Sequence, residues 1–340
     1  MTRTGIVCTL GPASNSDHAL RALVQAGMSI ARLNFSHGSA DEHRRRAEQV
    51  RRIAADLGAN VQLMQDLQGP KIRTVETPPT RLRRGEEVQL SGSPLAGALQ
   101  ISEPAALDEI GSGDLVYLDD GAIELEVVDR TDRVARCRVI IGGRLAGNQG
   151  VVFPSATLVL PALTEKDVQD AAVGREIGVE WVALSFVRGA QDLDTLHPHI
   201  TSGTRTIAKI ETPVALEHIP AIAAVFDALM IARGDLGVMI PRARVPIVQK
   251  DIISVCRRQG KGSIVATEML LSMVRNPHPT RAEVSDVATA VFDGCNDVML
   301  SEETAIGAYP AQAVAEMHQI IETAEASSYY RWGDVAKPSR

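Results

Sequence analysis

Short apolar runs alternate with amphipathic stretches along most of the chain. The runs cover residues 5–10, 29–35, 61–66, 181–187, 205–211, 228–234, 263–269 and 297–302. Segments 17–27, 40–58, 164–177, 244–259, 281–292 and 310–326 between them carry apolar positions at helical spacing. A strand that is apolar without alternation is buried on both faces. A succession of such strands separated by helices therefore predicts a parallel sheet closed into a (β/α)8 TIM barrel. Most runs turn polar at their C-terminal ends, at Asn34-Phe35-Ser36-His37, Asp66, Ser185, Lys209-Ile210-Glu211, Arg233-Gly234-Asp235, Thr267-Glu268 and Ser301-Glu302-Glu303. In a barrel those ends form the face that carries chemistry. A doubly wound sheet is the alternative, but it does not gather polar groups at nearly every strand end.

The rhythm breaks between Arg73 and about Pro161. There Leu115–Leu118, Ile123–Val127 and Val134–Val139 alternate with period two, separated by the turn signals Asp119-Asp120-Gly121 and Gly142-Gly143. These predict a small inserted antiparallel β domain, a β-barrel lid hung over the catalytic face, with hinges at prolines 78, 79, 154 and 161. The expected boundaries are 1–73 and 161–326 for the barrel, 74–160 for the lid and 327–340 for a tail.

Composition narrows the picture. Hydrophobic residues make up 45% of 340 but aromatics only 3%, so the core must be aliphatic. The net charge of -7 argues against a nucleic-acid partner. Cys8, Cys137, Cys256 and Cys295 have no metal-ligand spacing and read as buried reduced thiols. No apolar run is long enough to span a membrane and the first residues do not form a signal peptide, so a cytoplasmic protein is expected.

Lys209 and Glu211 stand two apart on one strand, on the same side. Alone, Lys-x-Glu reads as a rim salt bridge. With Asp235 following the next strand, the two carboxylates suit Mg2+ or Mn2+, and a lysine beside them can neutralise a transferring phosphoryl or an enolate. Gly234 and Gly237 flank a turn whose amides could hold an anion. Arg32, Asn34, Ser36, His37 and Arg73 add anion-binding groups. His197, His199, His218, His278 and His318 lack ligand spacing and are assigned no chemistry. Pro277 to Glu283 reads as a rigid loop with Thr280 capping a helix, serving packing or a subunit contact.

Seven segments, in order, resemble the pyruvate kinase family. They are Val7 to Ser14, Ala31 to Gly38, Gln68 to Thr74, Leu160 to Asp167, Met230 to Gly237, Pro279 to Ala288 and Ser301 to Gly307. The resemblance implies phosphoryl transfer from phosphoenolpyruvate to ADP, giving pyruvate and ATP. It implies Glu211 and Asp235 as metal ligands and Lys209 as the charge that neutralises phosphoryl and enolate. Arg32 would grip the phosphoryl, and Thr267 would stand where the enolate takes its proton. Backbone amides of Ala232, Arg233, Gly234 and Asp235 would hold the substrate carboxylate. Arg73 and Lys166 would meet the ADP phosphates, with Asn34 and His37 on the nucleotide side.

Three features depart from the family pattern. The family's monovalent-cation site matches Asn34, Ser36, Asp66 and residue 67, but residue 67 is Leu and residue 71 is Lys. Lys71 is expected to stand in for K+, so K+ is not required. Glu268 and Glu302 replace an expected glutamine and glycine, and near an anionic substrate they would oppose binding unless they face away. The chain stops at Arg340, without the family's C-terminal domain, so the usual allosteric control is not expected and any homodimer would use barrel surfaces. Two weaker readings remain: a metal-enolate aldolase or lyase, which has no use for Arg73, Lys166 or the lid, and a non-catalytic regulatory relative, against which Lys209, Glu211, Asp235 and Thr267 all stand.

Overall fold

The computed structural model describes residues 2–75, 78–156 and 160–330. The outer part of the expected tail, 331–340, lies outside the described residues, as do 76–77 and 157–159 of the inserted region. Eight parallel strands close into a barrel. In chain order they are Gly5–Thr9, Ile30–Asn34, Gln62–Asp66, Trp181–Leu184, Arg205–Ile210, Ala228–Ala232, Gly262–Ala266 and Asp297–Leu300. Each pairs with its neighbours in sequence order, and the eighth pairs with the first, Gly5 opposite Asp297. Closure excludes the doubly wound alternative.

The strands form where the apolar runs lie because nearly every residue in them is buried. The interior is filled by Val7, Ile30, Met64, Ala183, Ile207, Met230, Ile264 and Met299 among others. Burial pushes the thiols of Cys8, Cys137 and Cys256 well up, and all four cysteines are buried and unbridged. The helices start where side chains can serve their unpaired amides. Ser39, Thr164 and Thr280 each make a capping box with the acid three residues on. No described helix is long and apolar enough to cross a membrane.

The chain divides into two compact units. One holds the residues up to Gly69, Ala162–Gly234 and those from Ala243 onward, and contains the barrel. The other holds Pro70–Pro161 and Asp235–Arg242. Its main element is a six-stranded sheet in which Leu115–Leu118, Ile123–Thr131 and Val134–Ile141 run as an antiparallel meander. One pairing, Glu87–Ser91 with Leu99–Gln100, is parallel, against the antiparallel expectation; the two strands are joined by a connection longer than a tight hairpin turn. A two-stranded ribbon joins Thr80–Leu82 to Gly143–Leu145. This unit has its own aliphatic core, with Leu90, Ile101, Leu107, Val116, Leu125 and Val139 fully or almost fully buried.

Candidate active site

Within the barrel unit, the strand ends bring four charged side chains into one buried network. Lys209, on the fifth strand, places Nζ 2.9 Å from Glu211 Oε1, 3.2 Å from Asp66 Oδ1 and 2.7 Å from Ser185 Oγ. Arg32, on the second strand, donates from Nε to Asp66 Oδ2 at 2.7 Å and from Nη1 to Thr9 Oγ1 at 2.9 Å. The second and third strands lie in register with Asn34 opposite Asp66, which sets Arg32 and Asp66 side by side. Two cations thus face two anions in a setting nearly closed to solvent. Lys209 keeps 11% of its side-chain surface, Asp66 2% and Glu211 1%.

Burial by itself would raise the Asp66 carboxyl. The positive charges of Lys209 and then Arg32 outweigh it and hold that group below the usual carboxylate range. Glu211 is oriented by the Phe186 amide, which donates to Oε2 at 2.7 Å from the end of the fourth strand. Phe186 adopts a left-handed conformation, φ 55°, to aim it there. Ser185 hands its own proton to Leu67 O at 2.7 Å. Its hydroxyl oxygen is therefore left to accept from Lys209.

A second constellation forms at the sixth and seventh strand ends. Thr267 and Glu268 are left-handed at φ 68° and 55°. For a β-branched residue that conformation is strained. The Arg233 guanidinium braces it, with Nη2 donating to Thr267 O at 2.7 Å and Nε to Ala266 O at 3.3 Å. Nη1 of the same group pairs with Asp286 at 2.7 Å. Thr267 Oγ1 donates to Ala266 O at 2.6 Å and accepts from the Gly234 amide at 2.7 Å. The Arg233 side chain is thus committed to shaping the loop, and the Gly234 amide, one of the four expected to hold a carboxylate, is bonded to Thr267.

The remaining expected residues of this unit are more dispersed. Asn34 Oδ1 accepts the Ser36 amide at 3.1 Å in a tight turn. His37 is exposed, and its carbonyl accepts from His43 Nε2 at 3.0 Å. His43 stacks on Phe35 with ring centres 3.9 Å apart, and burial lowers its pKa to about 4, so the ring is neutral. Lys166 Nζ donates to Phe35 O at 2.7 Å and pairs with Asp170. Glu268 and Glu302 are both exposed, and Leu67 is buried. Glu303, beside Glu302, is the buried one: its carboxylate accepts the Leu270 and Ser301 amides at 3.0 and 2.8 Å.

Within the second unit, Arg73 donates from Nη1 to Asn148 O at 3.1 Å. Asp235 Oδ1 lies 3.0 Å from Lys71 Nζ, which also lies 3.1 Å from Asp120 Oδ1. Burial disfavours the Lys71 charge, but Asp235 and then Asp120 overcome it and raise its pKa.

Known proteins share this framework. The family model for the barrel domain of pyruvate kinase matches residues 1–314. The chain belongs to the pyruvate kinase family. It is 46% identical over 336 residues to pyruvate kinase 2 of Synechocystis sp., an alignment that covers 95% of this chain and 57% of that protein. It is 43% identical to pyruvate kinase of Bacillus licheniformis over 96% of this chain and 57% of the relative. For pyruvate kinase of Sporosarcina psychrophila the figures are 42%, 97% and 58%. The chain therefore spans a little over half the length of these pyruvate kinases.

Sequence reasoning missed several members of the site. Ser185 stood at a strand end but was given no role, although Leu184 opposite Ala208 in the parallel register puts it next to Lys209. In the sequence Asp120 marks only a turn. The Arg233 to Asp286 pairing spans 53 residues, and no local signal marks it. Among the described residues no three His, Cys, Asp or Glu side chains converge as a ready metal site. Glu211 in the barrel unit and Asp235 in the second unit are each carboxylates, the donor type that oxygen-preferring dications take.

Proposed function

We propose that the chain catalyses phosphoryl transfer between phosphoenolpyruvate and ADP, forming pyruvate and ATP. The observation that carries this reading is the buried Lys209, fixed by Ser185, Asp66 and Glu211 with Arg32 on the far oxygen of Asp66. A side chain locked this way is preorganised to meet developing negative charge without reorganising.

In this mechanism Lys209 neutralises first the phosphoryl in transfer and then the enolate left behind. Arg32 holds the phosphoryl oxygens. Amides from Ala232 to Asp235 hold the substrate carboxylate, with the Gly234 amide released from Thr267 or left to orient it. The Thr267 hydroxyl, held in a strained backbone by Arg233, aligns the water that protonates the enolate carbon. Arg73 and Lys166 meet the ADP phosphates, with Asn34 and His37 on the nucleotide side. A dication, Mg2+ or Mn2+, held by Glu211 and Asp235 would supply Lewis-acid charge to the substrate oxygens.

The reaction in this reading needs no K+. The buried Leu67 offers no oxygen from its side chain, Asp66 already has two cationic partners, and Lys71 carries a lasting positive charge. The protein would work in the cytoplasm, and any self-association would use barrel surfaces. A coupled assay for pyruvate with phosphoenolpyruvate, ADP and Mg2+ tests both statements. Turnover is expected with Na+ as the only monovalent cation. No pyruvate with or without K+ overturns the activity, and full dependence on K+ overturns the role of Lys71.

A further inference from the structure

Lys71 is a resident cation on the carboxylate that, in the function proposed above, ligates a dication. Its ammonium sits almost evenly between Asp235 Oδ1, at 3.0 Å, and Asp120 Oδ1, at 3.1 Å. The site is built for this. A Cβ at Gly150 would stand 2.8 Å from Lys71 Cε, so a larger residue there would push the end of the lysine out of this placement. Asp119, Asp120 and Gly121 are all left-handed, with φ of 52°, 50° and 86°, and the Asp119 amide donates to Gly150 O at 3.1 Å. Aspartate and glycine tolerate that conformation better than other residues. The turn thereby holds the Asp120 carboxylate against Lys71.

The two carboxylates differ in what they lose by exchanging partners. Asp235 keeps 27% of its side-chain surface and Asp120 69%. Asp120 is hydrated whether or not it holds an ammonium, so it can take Lys71 at little desolvation cost. An ammonium and a dication held together on Asp235 repel each other, which favours the arrangement with the ammonium on Asp120.

We infer that Asp120 is the acceptor onto which Lys71 moves when a dication occupies Asp235, and that this exchange sets the affinity of the site for the dication. No covalent bond changes; one ion pair is traded for another. Asp120 is a positioning residue that acts through Lys71. The inference rests on Asp235 being a dication ligand.

The test is titration with Mn2+ alone, following the paramagnetic resonance signal of the free ion, without substrate or nucleotide. The proteins are the wild type, Asp120→Asn, Lys71→Gln, the double variant and Asp235→Asn. Asparagine keeps the left-handed turn, Asp120→Ala serves as a second variant, and circular dichroism verifies folding. Asp120→Asn is expected to weaken Mn2+ binding about fivefold, because Lys71 then stays on Asp235. Lys71→Gln is expected to tighten it by a similar factor. With Lys71 already removed, Asp120→Asn is expected to change binding less than about twofold, since an exposed charge acting alone is screened. An equal loss from Asp120→Asn in both backgrounds means that Asp120 acts by its own charge, and overturns the exchange. Unchanged binding in Asp235→Asn removes the ligand assignment beneath it, and the exchange falls with it.

Discussion

Two lysines in this chain each stand between two carboxylates, and their surroundings make them opposites. Lys209 in the barrel unit is 11% exposed and faces Asp66 and Glu211 at 2% and 1%. Lys71 in the second unit is 19% exposed and faces Asp235 and Asp120 at 27% and 69%. The first lysine extends from a barrel strand, and its carboxylates come from the residue just past that strand and from a nearby strand, so backbone geometry sets the spacing. The second is met by a turn and by a helical residue. A buried pair that loses one partner leaves an unscreened charge, whereas an exposed one returns it to water. In the function and the exchange proposed above, the contrast separates a fixed charge from an exchangeable one.

The largest expected effect is on Lys209. Lys209→Met should lower the rate of pyruvate formation on the order of a thousandfold. It should also cost about 3–5 kcal/mol in denaturant unfolding, since Asp66 and Glu211 would stay buried with less compensation. Its pH profile should change as well. In the wild type the folded Asp66 carboxyl titrates below its unfolded value, so its stabilisation is present above that value and is lost as pH falls through the folded one. Without Lys209 the two values converge, and this acid-side loss should shrink.

His43 supplies a separate window. Its folded pKa near 4 lies below the unfolded value of 6.5, so the unfolded chain takes up the proton first as pH falls. About 3 kcal/mol of stability should disappear between those two pH values, and His43→Gln should remove that slope. A smaller effect should come from Arg233→Lys, which cannot reach Thr267 O and Asp286 together. We expect kcat to fall about tenfold to a hundredfold with KM for phosphoenolpyruvate little changed, because the Thr267 geometry loosens. Parallel loss of binding would instead place Arg233 on the substrate. The smallest effect on stability belongs to Lys71→Gln, within about 1 kcal/mol and reduced by salt. A cost as large as that of Lys209→Met would erase the contrast between the two lysines.

Much of this was legible in the chain itself. Strands buried on both faces must be apolar throughout and turn polar only where they meet the cleft, so Lys209, Glu211, Asp66 and Arg32 stood out at run ends. The helix starts were legible because Thr164-Asp167 and Thr280-Glu283 carry both halves of a capping box. The fold's closure brought together what spacing could not. Ser185 reaches Lys209 through the register of adjacent strands, Arg233 reaches Asp286 across 53 residues, and Lys71 reaches Asp235 across 164. Short strands such as Leu99–Gln100 and Val151–Val152 give too few residues for a period to register. The backbone strain at Thr267 has no sequence signature at all, because threonine ordinarily avoids that conformation.

The central claim is that the buried ammonium of Lys209 serves transfer rather than binding. The most direct measurement is rapid-quench phosphoryl transfer from phosphoenolpyruvate to ADP in the wild type and Lys209→Met, with phosphoenolpyruvate binding followed on the same samples. The account expects the variant to bind the substrate within about tenfold of the wild type and to transfer its phosphoryl on the order of a thousandfold more slowly. Transfer at the wild-type rate in a folded Lys209→Met protein would contradict it.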